Sequence, residues 1–283
     1  MRRTSIRIQE RDRRLTRDAF LYRVVRRDDL VSLGHFGSVP RCNYRLKQLV
    51  GAGWLRRIES VNWLTIHQGL YAPGTAAARY LVQCLDVPHE EVARQCTAHE
   101  GPLLVEHSLR VLDFRLLLSK EAPQAKVVVE DLLCECECLH EFTFKDHPSV
   151  PWSQVVMKPD GYFRACHLGN GYDFFVEIDL GHVSLPRFEQ KLCRYEKYVR
   201  SGAFSDAYGS REFTVLTVTT GERRLGHLAE LPHPSFDHFV TSWSRIVSKG
   251  IFKCHWTDNS SSLISLNGLF AKACGGGTIE ILP

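Results

Sequence analysis

Four residues in the second half of the chain have the types and spacing for metal-dependent phosphate chemistry. Asp160 follows Pro159. After a spacer with glycines comes Phe174–Phe175–Val176–Glu177–Ile178–Asp179. On a strand, residues two apart share a face, so Glu177 and Asp179 point the same way. A neighbouring strand that carries Asp160 beside them would make a cluster of three carboxylates. Hard oxygen ligands of this kind suit Mg²⁺ or Mn²⁺, and such an ion can activate water and stabilise charge on a phosphate. Downstream, Arg187, Lys191 and Arg194 offer cations from a predicted helix.

Helix, strand with Asp, strand with Glu, helix is an order that resembles the PD-(D/E)xK nuclease core. In that pattern a lysine stands two residues after the glutamate. Here Asp179 occupies that place, so Lys191 would have to supply the cation from the following helix. The expected catalytic set is Asp160, Glu177, Asp179 and Lys191, with Asp160, Glu177 and Asp179 as metal ligands. The alternative is a strand whose two acids solvate an edge.

The elements that must position these residues can be read from periodicity. The spacing predicts a helix at 103–119, strands from Lys126 through Leu133 towards Cys138, at 161–167 and at 172–180, and a helix at 185–201. A strand at 213–218 and a helix at 222–231 follow. The tail predicts a helix at 236–247, a strand at 251–256, a loop at 275–277 and a last strand at 278–282. This is an α/β unit without an internal repeat.

The alternation Cys134–Glu135–Cys136–Glu137–Cys138 predicts a strand with three thiols on one face and two acids on the other. With His140 nearby, the segment suits either a soft-metal site or buried thiols. Successive same-face residues lie about 6.5–7 Å apart, too far for Zn–S bonds of about 2.3 Å to close a tetrahedron. No zinc is expected there. His107 reads as a capping or packing residue rather than a catalytic one.

The first 84 residues read differently. Helices are expected at 9–22, 28–33 and 38–52, the third with Ser38 as its cap, Pro40 in its first turn and Gly53 as its stop. Strands at 54–58 and 68–72 and a closing helix at 73–84 follow. Three helices and a two-stranded wing describe a winged helix-turn-helix. In its third helix Cys42, Leu46, Leu49 and Val50 face the core, and Arg41, Tyr44, Arg45 and Gln48 form the opposite face. Arg can read guanine and Gln adenine in a major groove.

Charge agrees with that division. The chain has 283 residues and a net charge of +4, but residues 1–60 hold 15 Lys or Arg against 6 Asp or Glu. The rest of the chain is therefore acidic on balance. A basic module joined to an acidic body suits a nucleic-acid reader with a second function. With 44% hydrophobic and 24% charged residues the chain is compositionally an ordinary globular protein. No apolar run reaches the roughly 18 residues of a membrane span, and residues 1–15 lack a signal-peptide h-region. The expected location is cytoplasmic. Ten cysteines in a chain of this length do not make a secreted disulfide scaffold.

Arg14–Leu15–Thr16–Arg17, the run Arg45 to Leu55, and Gly69–Leu70–Tyr71–Ala72–Pro73–Gly74 are segments that together with those that follow resemble the replication-relaxation family of plasmids and mobile elements. Others are His107–Ser108–Leu109–Arg110–Val111, Lys158–Pro159–Asp160, Phe175 to Asp179, and Lys191–Leu192–Cys193–Arg194–Tyr195 with Tyr198 and Ser201–Gly202. Order and spacing fit over about residues 10–225. The resemblance implies a winged-helix DNA-binding domain joined to a PD-(D/E)xK-like α/β domain with a mixed sheet, and a role in plasmid replication or DNA relaxation. The expected boundaries are 1–84, a connector at 85–102, the nuclease-like domain at 103–231, and a C-terminal extension at 232–283 packed on it. Double-stranded DNA is the expected partner, with plasmid replication or mobilisation proteins and a second copy of the chain as further candidates and no membrane. Two readings stay open: a Mg²⁺- or Mn²⁺-dependent endonuclease, or a non-catalytic regulator whose α/β domain serves dimerisation or docking.

Overall fold

The computed structural model describes residues 6–58, 69–85, 87–98, 101–232 and 235–273. It is of the mixed α/β class and divides into two compact units, 1–116 and 117–283.

The first unit opens with α1 (Glu10–Leu21), started by a capping box in which Asp12 Oδ2 accepts the Gln9 N–H at 2.8 Å. A two-residue strand, β1 (Val25–Arg26), leads into α2 (Arg27–Ser32) and α3 (Val39–Gly51). Ser38 holds the N-cap position of α3 without a side-chain cap bond, and Pro40 lies in the first turn as expected. Then β2 (Leu55–Ile58) and β3 (Leu70–Pro73) join β1 in an antiparallel sheet of order β1-β3-β2. Strand β1 is too short to leave a periodic signal. The turn after α3 needs its glycines. Gly53 has φ +74, and a Cβ on Gly74 would lie 2.2 Å from the Gly53 carbonyl oxygen. Leu15, Phe20, Leu30, Leu46 and Leu49 are fully buried and form the apolar centre.

A 3-10 turn (Thr75–Ala77) precedes α4 (Ala78–Cys84) and α5 (His89–Thr97), and α6 (Pro102–Glu121) follows. The expected connector at 85–102 therefore contains the helix α5. Val92, Gln95 and Cys96 of α5 are buried, so this stretch contributes to a packed body despite its polar composition. The division at Leu116 falls inside α6, not near residue 102.

The second unit is built on a seven-stranded mixed sheet. Its strands are β4 (Val128–Cys134), β7 (Gly161–His167), β8 (Asn170–Asp179), β9 (Thr214–Thr219), β10 (Asp237–Ser242), β11 (Trp256–Thr257) and β12 (Leu263–Ile264). Their order is β12-β11-β10-β9-β8-β7-β4. Only β8, β9 and β10 run parallel. The crossovers are α7 (Leu185–Arg200) with α8 (Ala203–Tyr208), and then α9 (Glu222–Ala229). A parallel strand is covered on both faces and reads as a continuous apolar run. Residues 173–179 of β8 are all buried, and the three acids within that run, Asp173, Glu177 and Asp179, are its anomaly.

A hairpin, β5 (His140–Phe144) and β6 (Ser153–Met157), forms a separate two-stranded sheet. Its inner residues join an aromatic cluster of Tyr162, Phe175, Tyr195, Tyr198, Phe204 and Phe213.

Four expectations are corrected. The segment 134–138 is not strand: β4 ends at Cys134, and the Cys138 N–H bonds the Cys134 carbonyl at 3.1 Å in a tight turn. The premise of three thiols on one strand face therefore does not hold. None of the described cysteines forms a disulfide. Residues 236–247 are not one helix but β10 followed by α10 (Trp243–Lys249), divided at Ser242, whose side chain accepts the Arg245 N–H. The expected strand at 251–256 is mostly turn, with only Trp256–Thr257 paired. The expected C-terminal extension supplies β10, β11 and β12 to the sheet itself, and α11 (Leu266–Ala273) follows. The loop and strand expected at 275–277 and 278–282 lie outside the described residues.

His140 sits at the hairpin's inner edge, 2.9 Å from the Tyr208 hydroxyl and 5.2 Å in ring centroid from Tyr198. Burial holds its imidazole below the ordinary value of 6.5. The unfolded chain therefore takes up this proton before the folded one does. The contribution is present above the unfolded value and lost as pH falls through the folded one. Between pH 7.5 and 5.5 the melting temperature of the wild type should fall relative to that of His140→Gln. An identical profile in the variant would remove His140 as a source of acid sensitivity.

Candidate functional site

The register of β7 and β8 sets the acidic site. Gly161 pairs with Val176, so Asp160, just before β7, lies beside Glu177. The Asp160 N–H bonds the Val176 carbonyl at 3.1 Å, and its Oδ2 accepts the Ile178 N–H at 2.8 Å. Both carboxylates are buried; Glu177 is only 1% exposed.

Helix α7 supplies the partners. Lys191 and Tyr195 are four residues apart and so share one helix face. The Lys191 ammonium forms an ion pair with Glu177 Oε2 and lies 4.0 Å from Asp160 Oδ1. The Tyr195 hydroxyl donates to Glu177 Oε1 at 2.6 Å. Burial pushes the Glu177 carboxyl up to about 8. The Lys191 charge opposes that rise and the Asp160 charge adds to it. Burial works against the Lys191 charge, but Asp160 and Glu177 outweigh it and hold the ammonium protonated. Burial, with the Glu177 charge, keeps the Tyr195 hydroxyl protonated and therefore a donor.

Asp179 does not join this group. It shares a sheet face with Glu177 but lies one strand repeat further on, about 6.6 Å along. There it accepts from the Thr219 hydroxyl at 2.8 Å and from Arg224 of α9 at 2.9 and 3.1 Å. A bidentate guanidinium satisfies a carboxylate well, and the same Arg224 donates to the Val183 carbonyl at 2.6 Å. The expected three-carboxylate cluster is therefore a pair, Asp160 and Glu177, with Asp179 in a separate ion pair. Among the described residues no three His, Cys, Asp or Glu side chains group to hold a metal. Arg187 and Arg194 are exposed on α7, one turn before and one turn after Lys191.

Two carboxylates still suit one hard ion, because Mg²⁺ is commonly held by one or two carboxylates with water completing the shell. The observation that supports the fit is the cation already seated between them, the Lys191 ammonium. Lys191 keeps 27% of its side chain exposed, so the site opens to solvent on that side.

In the first unit the outward face of α3 differs from the expected one. Arg41 and Tyr44 are exposed, Tyr44 by 69%. Arg45 is not a free reader. It pairs with the fully buried Asp12 and donates to Gln48 Oε1 and the Arg7 carbonyl, each at 2.7 Å. Its guanidinium satisfies a buried charge, and Gln48 is drawn into the same network. Asn43 and Lys47, which the sequence reading passed over, complete the exposed face. His107 lies half-buried on α6. Tyr195 and Arg224 were missed as site residues. Tyr195 fits the buried apolar stripe of α7, and its spacing of four from Lys191 was the one signal for its hydroxyl.

A profile of the replication-relaxation family matches residues 30–214. That is well over half of the sequence, and the chain belongs to this family. No curated protein matches the chain. Among solved structures it is similar to restriction endonuclease FokI, at 12% identity and a TM-score of 0.31, covering 98% of this chain and 47% of that one. FokI bound to DNA gives 12% identity and a TM-score of 0.26, over 87% of this chain and 46% of that one. The chain thus spans about half the length of these structures. Among the described residues no helix is long and apolar enough to cross a membrane.

Proposed function

We propose that this protein binds double-stranded DNA through its first unit and nicks it at the Asp160–Glu177–Lys191 site of the second. The setting is plasmid or mobile-element replication or DNA relaxation, in the cytoplasm. The order α1-β1-α2-α3-β2-β3, with β1 paired to β3, supports a winged helix-turn-helix. In that reading α3 presents Arg41, Asn43, Tyr44 and Lys47 to DNA. The observation that carries the enzymatic reading is the inward lysine. Asp179 stands where a PD-(D/E)xK strand has its lysine, and Lys191 brings an ammonium to the glutamate from α7 instead.

Asp160 and Glu177 would hold Mg²⁺ or Mn²⁺, which when bound polarises the scissile phosphate and lowers the pKa of a bound water. Lys191, released from Glu177, keeps its positive charge beside the phosphate and stabilises the charge that develops there. Arg224 and Asp179 brace the end of β8 against Val183. A regulator without catalysis is the second reading. It is favoured by the near-complete burial of Glu177, whose two oxygens are already bonded.

Supercoiled plasmid with Mn²⁺ separates the two. The nuclease reading expects open circles, with a rate loss on the order of 100-fold in Glu177→Gln and Asp160→Asn. Bound but intact plasmid would favour the regulator.

The reading face is tested by salt. Each lost phosphate contact should flatten the slope of log affinity against log salt by about 0.9. Replacing Arg41 and Lys47 together with Ala should therefore lower the slope by about 1.8 if both meet phosphate. Unchanged affinity and slope would remove this face of α3 as the DNA contact.

A further inference from the structure

We propose that Tyr195 is a positioning residue that sets how Glu177 can hold an ion, and so selects Mg²⁺ or Mn²⁺ over Ca²⁺. This rests on the reading of Asp160 and Glu177 as the ion site. Glu177 has two oxygens with different neighbours. Oε1 is taken by the Tyr195 hydroxyl at 2.6 Å. Oε2 faces Lys191, which also approaches Asp160 Oδ1. An ion that replaces the ammonium between the carboxylates therefore meets one glutamate oxygen, not both.

Tyr195 has little freedom to release Oε1. Its side chain is fully buried. Its ring lies 5.4 Å in centroid from Phe175 and 5.8 Å from Phe213 and from Phe236. Close-packed aromatic neighbours fix the ring and hence its hydroxyl. The backbone fixes the other ligand in the same way: Asp160 Oδ2 is held by the Ile178 N–H, which leaves Oδ1 on the Lys191 side. Each carboxylate thus presents one oxygen.

One oxygen from each of two carboxylates leaves four places for water or phosphate in an octahedral shell. Mg²⁺ takes such a shell readily. Ca²⁺ takes six to eight oxygens and often a bidentate carboxylate. The Tyr195 hydrogen bond competes for Oε1, and so disfavours the bidentate mode at Glu177 and with it the larger ion. Its removal should give Ca²⁺ the second oxygen without altering the ligand set for Mn²⁺.

The test uses the full chain. Mn²⁺ binding is followed by electron paramagnetic resonance, with Ca²⁺ as competitor, in the wild type and in Tyr195→Phe. The ratio of Ca²⁺ to Mn²⁺ affinity should rise about tenfold in the variant, the scale of a lost outer partner at a metal ligand. A general loosening of the fold would weaken both ions together, so an unchanged ratio overturns the proposal. A wild type that binds neither ion overturns the ion site as well as this inference. If Tyr195→Phe does not fold, infrared difference spectra of the wild type decide, with Glu177→Gln assigning the glutamate bands. The wide splitting of a one-oxygen carboxylate is expected with Mn²⁺, and the narrow splitting of a bidentate one would contradict it.

Discussion

A buried carboxylate in the middle of a mixed sheet must be given a positive partner, and Glu177 receives Lys191. Isolated charge at such depth is costly. The strand that carries Glu177 is buried from Asp173 to Asp179, and its other two acids have their own partners, Tyr162 for Asp173 and Arg224 for Asp179. Glu177 is tolerated because α7 crosses directly over it with an ammonium and a hydroxyl one turn apart. Asp160 then shares the same ammonium from the end of β7. The β7–β8 register, the placement of α7 and the aromatic packing around Tyr195 all serve this one contact. In the proposed function a divalent ion takes the place of the lysine between the two acids and leaves its charge for a phosphate.

The same principle governs charge elsewhere in the molecule. Asp12 is buried in the first unit and is answered by Arg45, which is thereby withdrawn from the exposed face of α3. Asp179 is answered by Arg224. These pairs show that an exposed-looking helix position or a strand-face acid cannot be assigned a function until its counter-charge is known. What remains at the surface of α3 is Arg41, Asn43, Tyr44 and Lys47, a mixture of cation, amide and aromatic side chains.

Much of this was legible in the sequence because its causes are local. Helix α3 announces itself through Pro40, the spacing of Cys42, Leu46 and Leu49, and the stop at Gly53. Strand β8 and helix α7 are plain from composition and period, and Glu177, Asp160 and Lys191 follow from them. The failures have non-local causes. The pairing of Arg45 with Asp12 spans 33 residues, and that of Asp179 with Arg224 spans 45. Strand β10 was read as helix because its β-branched and aromatic run continues into an amphipathic one. Its parallel pairing with β9 and the cap at Ser242 decide the matter. The cysteine alternation at 134–138 imitates a strand, yet the Glu137 carboxylate accepts the Cys134 N–H at 3.0 Å and closes a turn.

The central claim is that the place now held by the Lys191 ammonium is a divalent-ion site. Anomalous diffraction from crystals soaked in Mn²⁺ tests it most directly. The account predicts one strong peak within bonding distance of Glu177 Oε2 and Asp160 Oδ1, with Lys191 swung away from Glu177 and Tyr195 still bonded to Oε1. Lys191 unmoved and no peak between the two carboxylates would contradict it.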